Sequence, residues 1–289
     1  MKLEDCKVDG SKKFKLSDHP TSAKVPKAER PAYEAETAQN NKRMSDLQER
    51  LYADGREGVV ILLQAMDAAG KDSTIAHVMS GVNPQGVGVT SFKVPSKVEA
   101  GHDYFWRANV ALPQRGYIEI FNRSYYEDVL VVRVDGLWHG YDMPKRCLDM
   151  DEQEFFDMRF EQIRNYEKAL YQNGYRLIKI MLNVSRKEQK ERFLARIDEP
   201  AKNWKFSAGD LGPRSKWPQY MAAFEDAIGK TSTPESPWYV IPADQKWYAR
   251  ALVSELVVKV LEEINPQFPE ISDEDRAVMM KCREQLMAE

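Results

Sequence analysis

The stretch VVILLQAMDAAGKDST, Val59–Thr74, decides the fold. Its first part, 59–66, is almost entirely apolar, which is typical of a parallel strand buried on both faces. The small residues Ala68, Ala69 and Gly70 then predict a tight turn, and a helical pattern follows. A buried strand, a small-residue turn and a helix in this order predict a loop that binds phosphate through backbone N–H groups and the helix dipole.

Lys71 stands at the end of this turn, where a cation can reach the terminal phosphates of a bound polyanion. The match to the pattern GxxxxGK[ST] is imperfect. Ala65 replaces the first glycine, and Asp72 takes the place of the metal-binding Ser or Thr. Ser73 and Thr74 follow one and two positions later. The alternative is an ordinary strand-to-helix turn with a solvent-facing lysine, but the buried strand before it favours the phosphate-binding interpretation.

Asp67 lies inside the predicted phosphate loop. A carboxylate there would repel a phosphate unless a divalent cation sits between the two. We therefore expect Asp67 to be a ligand of a divalent cation. Asp67 is also a suitable N-cap for the following helix, and both roles can hold together.

The strand pattern recurs four times after the first strand, and helical patterns fill the gaps between the strands. These strands are VTSFKV (89–94), YIEIFN (117–122), YRLIKIMLNV (175–184) and WYVIPA (238–243). Ser185 and Glu188 form a capping box that predicts a helix directly after the 175–184 strand. Alternating strands and helices predict an α/β fold of the P-loop kinase type, a parallel sheet flanked by helices with a helical lid and an N-terminal extension.

The chain divides by its patterns into an N-terminal arm and helix (1–56), a P-loop phosphotransferase domain (57–265) and a C-terminal helix (266–289). Inside the central domain the strand and helix signals weaken, and this stretch is too long for a simple connector. We predict a lid there, at about 199–229. Its cations are expected to contact the polyanion, although each also suits a solvated surface. They are Lys202, Lys205, Arg214 and Lys216.

A second group of polar residues follows the 117–122 strand, in FNRSYYEDVLVVRV (121–134). Ligands of open parallel sheets gather at the carboxyl ends of the strands, so this group should face Lys71. Asn122 stands where a P-loop enzyme normally has a metal-organising Asp, and Arg123 suits bidentate binding of phosphoryl oxygens. Glu127 and Asp128 could restore the missing carboxylate, and Arg133 could add a cation. Surface ion pairs on solvated helices are the alternative for each.

Composition excludes several classes of protein. The formal net charge of −3 argues against nonspecific binding to nucleic acid or an anionic membrane. The three cysteines lack metal spacing, and the N-terminus lacks the apolar core of a signal peptide, so we expect a cytoplasmic protein. The apolar face of a last helix from Ser272 favours a homo-oligomer; its residues are Val278, Met279, Cys282 and Leu286.

Several motifs together resemble the type 2 polyphosphate kinase family, which transfers phosphoryl groups between inorganic polyphosphate and nucleotides. Besides QAMDAAGKDST (64–74) and FNRSYYEDVLVVRV, they are NPQG (83–86), SFKVPS (91–96), DEPAKNWKFSAGDLGPRSKWPQY (198–220), TSTPESPW (231–238) and IPADQKWYAR (241–250). The resemblance covers roughly 33–264, and the combination is far more specific than any single GK turn.

The resemblance implies a P-loop enzyme with a mobile lid and a basic channel for the polyanion. It also implies that the divalent cation is Mg²⁺, with Mn²⁺ as the alternative ion. Asp67 and Lys71 match the essential pair of the family's loop, and Arg123 matches the Arg after its second-strand acid. Many members have Asp where this chain has Asn122. The combination of Asn122 with Glu127 resembles the subgroup that accepts nucleoside mono- and diphosphates. This implies that AMP is converted to ADP and ADP to ATP, with the guanine equivalents and the reverse direction open.

Two other functions remain open from the residues alone. An ATP-dependent nucleoside or nucleotide kinase would have the same loop, lid and cations, and only the departures at Ala65 and Asp72 favour a different donor. A non-catalytic nucleotide-binding regulator would need the loop but not the charge cluster of Asp67, Lys71, Arg123 and Glu127.

Overall fold

The computed structural model describes residues 2–289, and its centre is a six-stranded sheet. The strands follow the order β1-β6-β5-β2-β4-β3, and all neighbours are parallel except β1, which pairs antiparallel with β6. The strands are β1 (Lys7–Val8), β2 (Gly58–Gln64), β3 (Val87–Ser91), β4 (Ile118–Asn122), β5 (Tyr175–Asn183) and β6 (Trp238–Pro242). The predicted α/β class with a mainly parallel sheet is therefore confirmed.

The central strand β2 leads directly into the predicted phosphate loop. Every residue of β2 is buried, because helices cover both faces of the sheet. In the ladders, Leu63 lies opposite Asn122 of β4, and Gln64 lies opposite Met181 of β5. The carboxyl ends of these strands therefore meet at one edge, which is where ligands bind in such sheets.

Twelve α-helices surround the sheet within residues 2–289. They are α1 (Arg30–Asp54), α2 (Lys71–Val78), α3 (Lys97–Ala100), α4 (Trp106–Ala111), α5 (Val131–Val134), α6 (Lys145–Leu148), α7 (Glu152–Gln172), α8 (Arg186–Asp198), α9 (Leu211–Ser215), α10 (Trp217–Thr231), α11 (Lys246–Ile264) and α12 (Asp273–Met287). Half of the capping box expected at Ser185 is present. The Ser185 hydroxyl accepts a hydrogen bond from the backbone N–H of Glu188, at the start of α8. Helix α1 packs along α11, and α11 also contacts α2.

The described residues of the predicted N-terminal arm pack against the sheet and its helices. Leu3, Cys6 and Phe14 are buried in the main core, and β1 extends the sheet beyond β6. The backbone N–H of Leu16 donates to Glu225 of α10 at 2.8 Å. The arm therefore belongs to the same packed unit as the sheet.

The predicted lid, 199–229, consists of two different parts. Residues 200–216 form short 3-10 turns and α9, and none of them is buried; we call this stretch the lid segment. Helix α10 then packs Tyr220, Phe224 and Ile228 into the core. The exposed part is thus shorter than the stretch chosen from the sequence, because α10 has an apolar face that the core covers.

A buried ion pair connects the sheet to the turn after β4. Lys179 of β5 and Glu167 of α7 are 0% and 1% exposed, and their charged atoms lie 2.6 Å apart. Glu167 also accepts hydrogen bonds from the hydroxyls of Tyr125 and Tyr126, at 2.9 and 2.7 Å. Lys179 donates as well to the Thr231 carbonyl at the end of α10. This network holds the turn that carries the candidate site.

Helix α12 has no buried residue, so its apolar face is not covered within residues 2–289. Its use in a homo-oligomer stays a prediction. None of the helices in this described part of the chain is both long and apolar enough to cross a membrane.

Candidate active site

The turn between β2 and α2 contains two residues in the left-handed region, Ala68 with φ 58° and Gly70 with φ 110°. A φ of 110° is strained for any residue with a Cβ, so this position requires glycine. These two conformations curl the turn back over the end of β2. Helix α2 begins at Lys71, and the N–H groups of its first turn have no partner within the helix. These N–H groups are available to an anion bound in the turn.

Two side chains of α8 hold the carbonyl groups of the turn. Gln189 Nε2 donates to the carbonyl of Asp67 at 2.9 Å, and Arg192 Nη1 donates to that of Ala69 at 2.5 Å. Arg192 also binds the carbonyl of Ala243 after β6 at 2.6 Å. Because the C=O and N–H of a peptide point in opposite directions, this arrangement turns the following N–H groups away from α8. Convergent N–H groups of this kind form an anion-binding concavity.

Lys71 is only 9% exposed, and its Nζ donates to the carbonyl of Ala65 at 2.9 Å. Burial lowers the pKa of Lys71, and the nearby Arg123 lowers it further, whereas Asp67 and Glu127 act in the opposite direction. An ammonium group has three donors, and Ala65 uses one. The other two can bind phosphoryl oxygens at the mouth of the turn.

Arg123 follows β4 and has a left-handed backbone, with φ 64°. Its Nη2 donates to Asp67 Oδ1 at 2.6 Å, so the end of β4 and the phosphate loop are joined by an ion pair. A positive φ is uncommon outside glycine and persists mainly where the surrounding structure enforces it, often at functional sites. The pair fixes the direction of both side chains while the guanidinium keeps donors free for a phosphate.

Asn122, the last residue of β4, contacts the first turn of α2. Its Nδ2 donates to Asp72 Oδ1 at 2.7 Å. The structure therefore brings together four of the sequence-predicted site residues across the same edge, Asp67 with Arg123 and Asp72 with Asn122.

Glu127 lies in a 3-10 turn, Tyr125–Val129, beside these groups. Burial raises the pKa of Glu127, while Arg123 and Lys71 oppose this increase. In the amide orientation that satisfies its hydrogen-bond partners, the Gln64 side chain donates to Glu127 Oε1 at 2.9 Å and accepts from Ser124. The carboxylate is thus held between the end of β2 and the two cations of the site.

The charges of the site suit a divalent metal bound together with substrate. Three carboxylates, those of Asp67, Asp72 and Glu127, face the two cations Lys71 and Arg123. The net charge of these five side chains is too negative to attract a polyphosphate without a further cation. Among residues 2–289 no group of three or more His, Cys, Asp or Glu is arranged to hold a metal by itself. Mg²⁺ commonly uses one or two carboxylates and completes its shell with phosphate oxygens and water, so these residues fit it.

Changing Asn122 to Asp tests this interpretation of the carboxylates. The variant loses the hydrogen bond to Asp72 and places two like charges side by side, which disfavours both being ionised. We expect the Tm in EDTA to fall by a few degrees, corresponding to about 1 kcal/mol. Because Mg²⁺ would screen the added charge, millimolar Mg²⁺ should raise the Tm of Asn122→Asp more than that of the unchanged protein. Asn122→Ala loses the same hydrogen bond without adding charge, and an equal Mg²⁺ response in both variants would contradict the assignment.

The remaining residues predicted in the loop and after β4 have structural contacts. Ser73 Oγ donates to the carbonyl of Gly70 at 2.9 Å, and Thr74 is buried. Asp128 is buried against Arg159 of α7 at 2.9 Å, an ion pair without an aligned hydrogen bond.

Arg133 is tied to the helices around it. It pairs with Asp226 of α10 at 2.7 Å. Within residues 2–289, neither Asp128 nor Arg133 makes a hydrogen bond or ion pair to the phosphate loop, so their binding role stays a prediction.

The four cations predicted in the lid all have partners within residues 2–289. Lys202 pairs with Glu199 at 2.5 Å, Lys205 lies over the Trp204 ring, Arg214 donates to Gln189 Oε1 at 2.8 Å, and Lys216 pairs with Asp135 at 2.7 Å. Only Arg214 is connected to the phosphate loop, because Gln189 also donates to the Asp67 carbonyl. Contact of the four cations with a polyanion stays a prediction.

One acidic residue of the lid segment, which the sequence analysis did not select, lies within electrostatic reach of the site. Asp210 pairs with Arg196 at 3.0 Å. Burial raises the pKa of Asp210, and the carboxylate of Asp67 raises it further, while Arg196 and Arg123 lower it. The carboxylate of Asp210 therefore lies within electrostatic reach of the ion pair of Asp67 and Arg123. No local signal distinguished Asp210 from the other polar residues of this stretch.

A parallel sheet with an anion-binding turn after its central strand, a buried lysine and an Arg–Asp pair define a phosphotransferase of the P-loop class. The family model of polyphosphate kinase 2 matches residues 27–269 of the chain. The chain therefore belongs to the polyphosphate kinase 2 family.

Individual relatives agree with this assignment. The chain is 48% identical over 248 residues to an ADP-polyphosphate phosphotransferase of Rhodopseudomonas palustris, covering 85% of this chain and 84% of the relative. It is 43% identical over 270 residues to an AMP/ADP-polyphosphate phosphotransferase of Meiothermus ruber, covering 93% and 96%. The crystal structure of polyphosphate kinase 2 from Arthrobacter aurescens superimposes with a TM-score of 0.84 at 36% identity, covering 96% of each chain.

Proposed function

We propose that this protein transfers phosphoryl groups from inorganic polyphosphate to nucleotides, converting AMP to ADP and ADP to ATP with Mg²⁺. The observation that carries the proposal is the buried Lys71 beside the Asp67–Arg123 pair, at the end of a turn built to bind an anion. The relatives named as ADP- and AMP/ADP-polyphosphate phosphotransferases support the donor and the acceptors.

In the proposed mechanism, the side chains position the reactants and neutralise charge. The turn and Lys71 hold the donor phosphates, and Arg123, fixed by Asp67, binds oxygens of the transferring phosphoryl group. Phosphoryl transfer passes through a loose transition state whose charge lies on peripheral oxygens, so these fixed cations stabilise it. The acceptor is a phosphate oxygen that is already ionised at neutral pH, so the reaction does not require a strong general base.

Asp67, with Asp72 nearby, would hold Mg²⁺, which would supply positive charge to the phosphates of the substrates. The side chain of Glu127 balances Lys71 and Arg123 before substrate enters. Asn122 keeps Asp72 directed toward the edge of the sheet through its hydrogen bond. The acceptance of AMP in addition to ADP rests on Asn122 and Glu127, and the M. ruber relative supports it by its name alone.

A direct assay tests the proposal. Purified protein is incubated with AMP, Mg²⁺ and polyphosphate in the absence of ATP, and ADP and ATP are followed by chromatography. We expect both products to form in sequence and neither to form without polyphosphate. A parallel reaction with ATP in place of polyphosphate separates the rival function, because product from ATP alone would identify an ATP-dependent kinase. Tight nucleotide binding with no product from either donor would identify a regulator.

A further inference from the structure

Tyr220 has a buried hydroxyl group without a partner. The residue lies in the first turns of α10, directly after the lid segment, and is 4% exposed. Its hydroxyl oxygen makes no hydrogen bond to any group within residues 2–289. Buried hydroxyl groups are nearly always paired, because leaving one unpaired costs free energy. An exception beside an active site indicates that its partner is a ligand.

The surroundings of this hydroxyl are those of the proposed active site. Burial raises the pKa of Tyr220, and the carboxylates of Asp135, Glu127 and Asp67 raise it further, while Arg123 opposes them. The phenol therefore lies within the electrostatic reach of the residues that surround the phosphates. It stays protonated at neutral pH and can only donate toward an anion.

The position of Tyr220 is set by packing. Helix α10 contacts the 3-10 turn that carries Glu127. Two ion pairs join α10 and the residue before it to residues 133–135, which follow that turn. They are Lys216 with Asp135 at 2.7 Å and Arg133 with Asp226 at 2.7 Å. The ring is thus held in place before any ligand arrives.

Other tyrosines near the site, two of them buried and one half-buried, show what a purely structural hydroxyl does. Tyr125 and Tyr126 both donate to Glu167, and Tyr141 donates to Asp128 at 2.5 Å. Phenylalanine would fill the place of Tyr220 equally well if packing were its only role. The unpaired hydroxyl is therefore the feature that packing does not explain.

The lid segment leads directly into α10, and its helix α9 contacts α10. Asp210 of that segment adds to the raised pKa of Arg123, after Glu127 and Asp67, so its carboxylate lies within electrostatic reach of that guanidinium. The pairs that hold it, such as Arg196 with Asp210, are partly exposed and individually weak. Weak pairs of this kind allow the lid segment to move when a phosphate binds Arg123.

We propose that the Tyr220 hydroxyl donates a hydrogen bond to a phosphoryl oxygen of the substrate bound between Arg123 and the lid segment. This makes Tyr220 a substrate-binding residue that links the phosphates to α10 and so to the lid. The inference rests on the proposed function for the reaction in which it acts. The phosphoryl oxygen belongs either to the nucleotide or to polyphosphate, which the experiment distinguishes.

The test is Tyr220→Phe, which removes only the hydroxyl. We expect kcat/KM to fall about ten- to a hundredfold, the loss typical of a hydrogen bond to a charged group. The Tm without ligand should stay the same or rise, since an unpaired buried hydroxyl is removed. A larger KM for ADP at saturating polyphosphate assigns the oxygen to the nucleotide, and a larger KM for polyphosphate at saturating ADP assigns it to the donor.

Tyr141→Phe is the matched control, because its hydroxyl has a buried partner and its loss should lower the Tm. Unchanged kinetics in Tyr220→Phe would overturn the inference, as would a fall in Tm like that of the control or a loss of folded protein. The Tm increase produced by ADP or by tripolyphosphate, each with Mg²⁺, gives a readout without turnover. That increase should be smaller in Tyr220→Phe, so the inference remains testable even if the assay for polyphosphate-dependent product fails.

Discussion

Replacing Lys71 by Met is expected to lower kcat by about a hundredfold or more, corresponding to about 3 kcal/mol of transition-state stabilisation. The side chain is buried, and Ala65 holds its Nζ at the mouth of the turn, so its charge is fixed before substrate binds. A fixed cation stabilises the charge on the transferring phosphoryl group without reorganisation. The measurement is steady-state turnover of ADP with polyphosphate and Mg²⁺.

The same variant should keep or increase the stability of the fold. Because burial lowers the pKa of Lys71, the charged form is disfavoured in the folded state relative to the unfolded chain. While Lys71 is charged, that charge therefore reduces the stability of the fold, and methionine removes it while keeping the stem. Lys42→Met, at an exposed position of α1, is the control and should leave both turnover and Tm unchanged. Substantial activity in Lys71→Met, or a large fall in its Tm, would contradict the role given to Lys71.

The sheet could be predicted from the sequence because its strands have local patterns. The apolar run 59–66 and the strands after it are recognisable without knowledge of the rest of the chain, and their ends must meet in a parallel sheet. Strand β1 was missed because two residues, Lys7 and Val8, show no periodicity. Its position depends on pairing with Trp238 and Tyr239, far away in the chain.

The site was predictable where it lies next to those strands. Asp67, Lys71 and Arg123 follow the ends of β2 and β4 directly, so position along the chain was enough to place them together. Arg192, which holds the carbonyls of the turn, is 123 positions from Ala69. Its contact depends on how α8 packs, and nothing in the local sequence indicates it.

Lys179 and Glu167 each place a charge within an apolar pattern of the sequence. Lys179 interrupts the apolar strand YRLIKIMLN, and Glu167 falls on the apolar stripe of α7 between Ile163 and Leu170. A charge on each of two faces that pack together indicates a buried pair. The signal was present, but pairing these two residues required knowing that α7 covers β5.

Replacing Lys179 by Met is expected to destabilise the fold by about 3–5 kcal/mol, because it leaves Glu167 buried without its cation. The pair is 0% and 1% exposed, and Lys179 also donates to Thr231. We expect the Tm to fall by about 10 °C, measured by calorimetry or circular dichroism. Activity at low temperature should fall less than in Lys71→Met, since Lys179 binds no phosphate in the proposed mechanism.

Lys230→Met provides the matched control for this prediction. Lys230 also pairs with a carboxylate of α7, Asp157 at 2.5 Å, but their side chains are 35% and 50% exposed. An exposed pair contributes at most about 1 kcal/mol, so this variant should lose only a few degrees. In the double variant Lys179→Met with Glu167→Gln, no carboxylate is left uncompensated, and part of the lost stability should return. Equal losses in Lys179→Met and Lys230→Met would show that burial does not determine the strength of the pair.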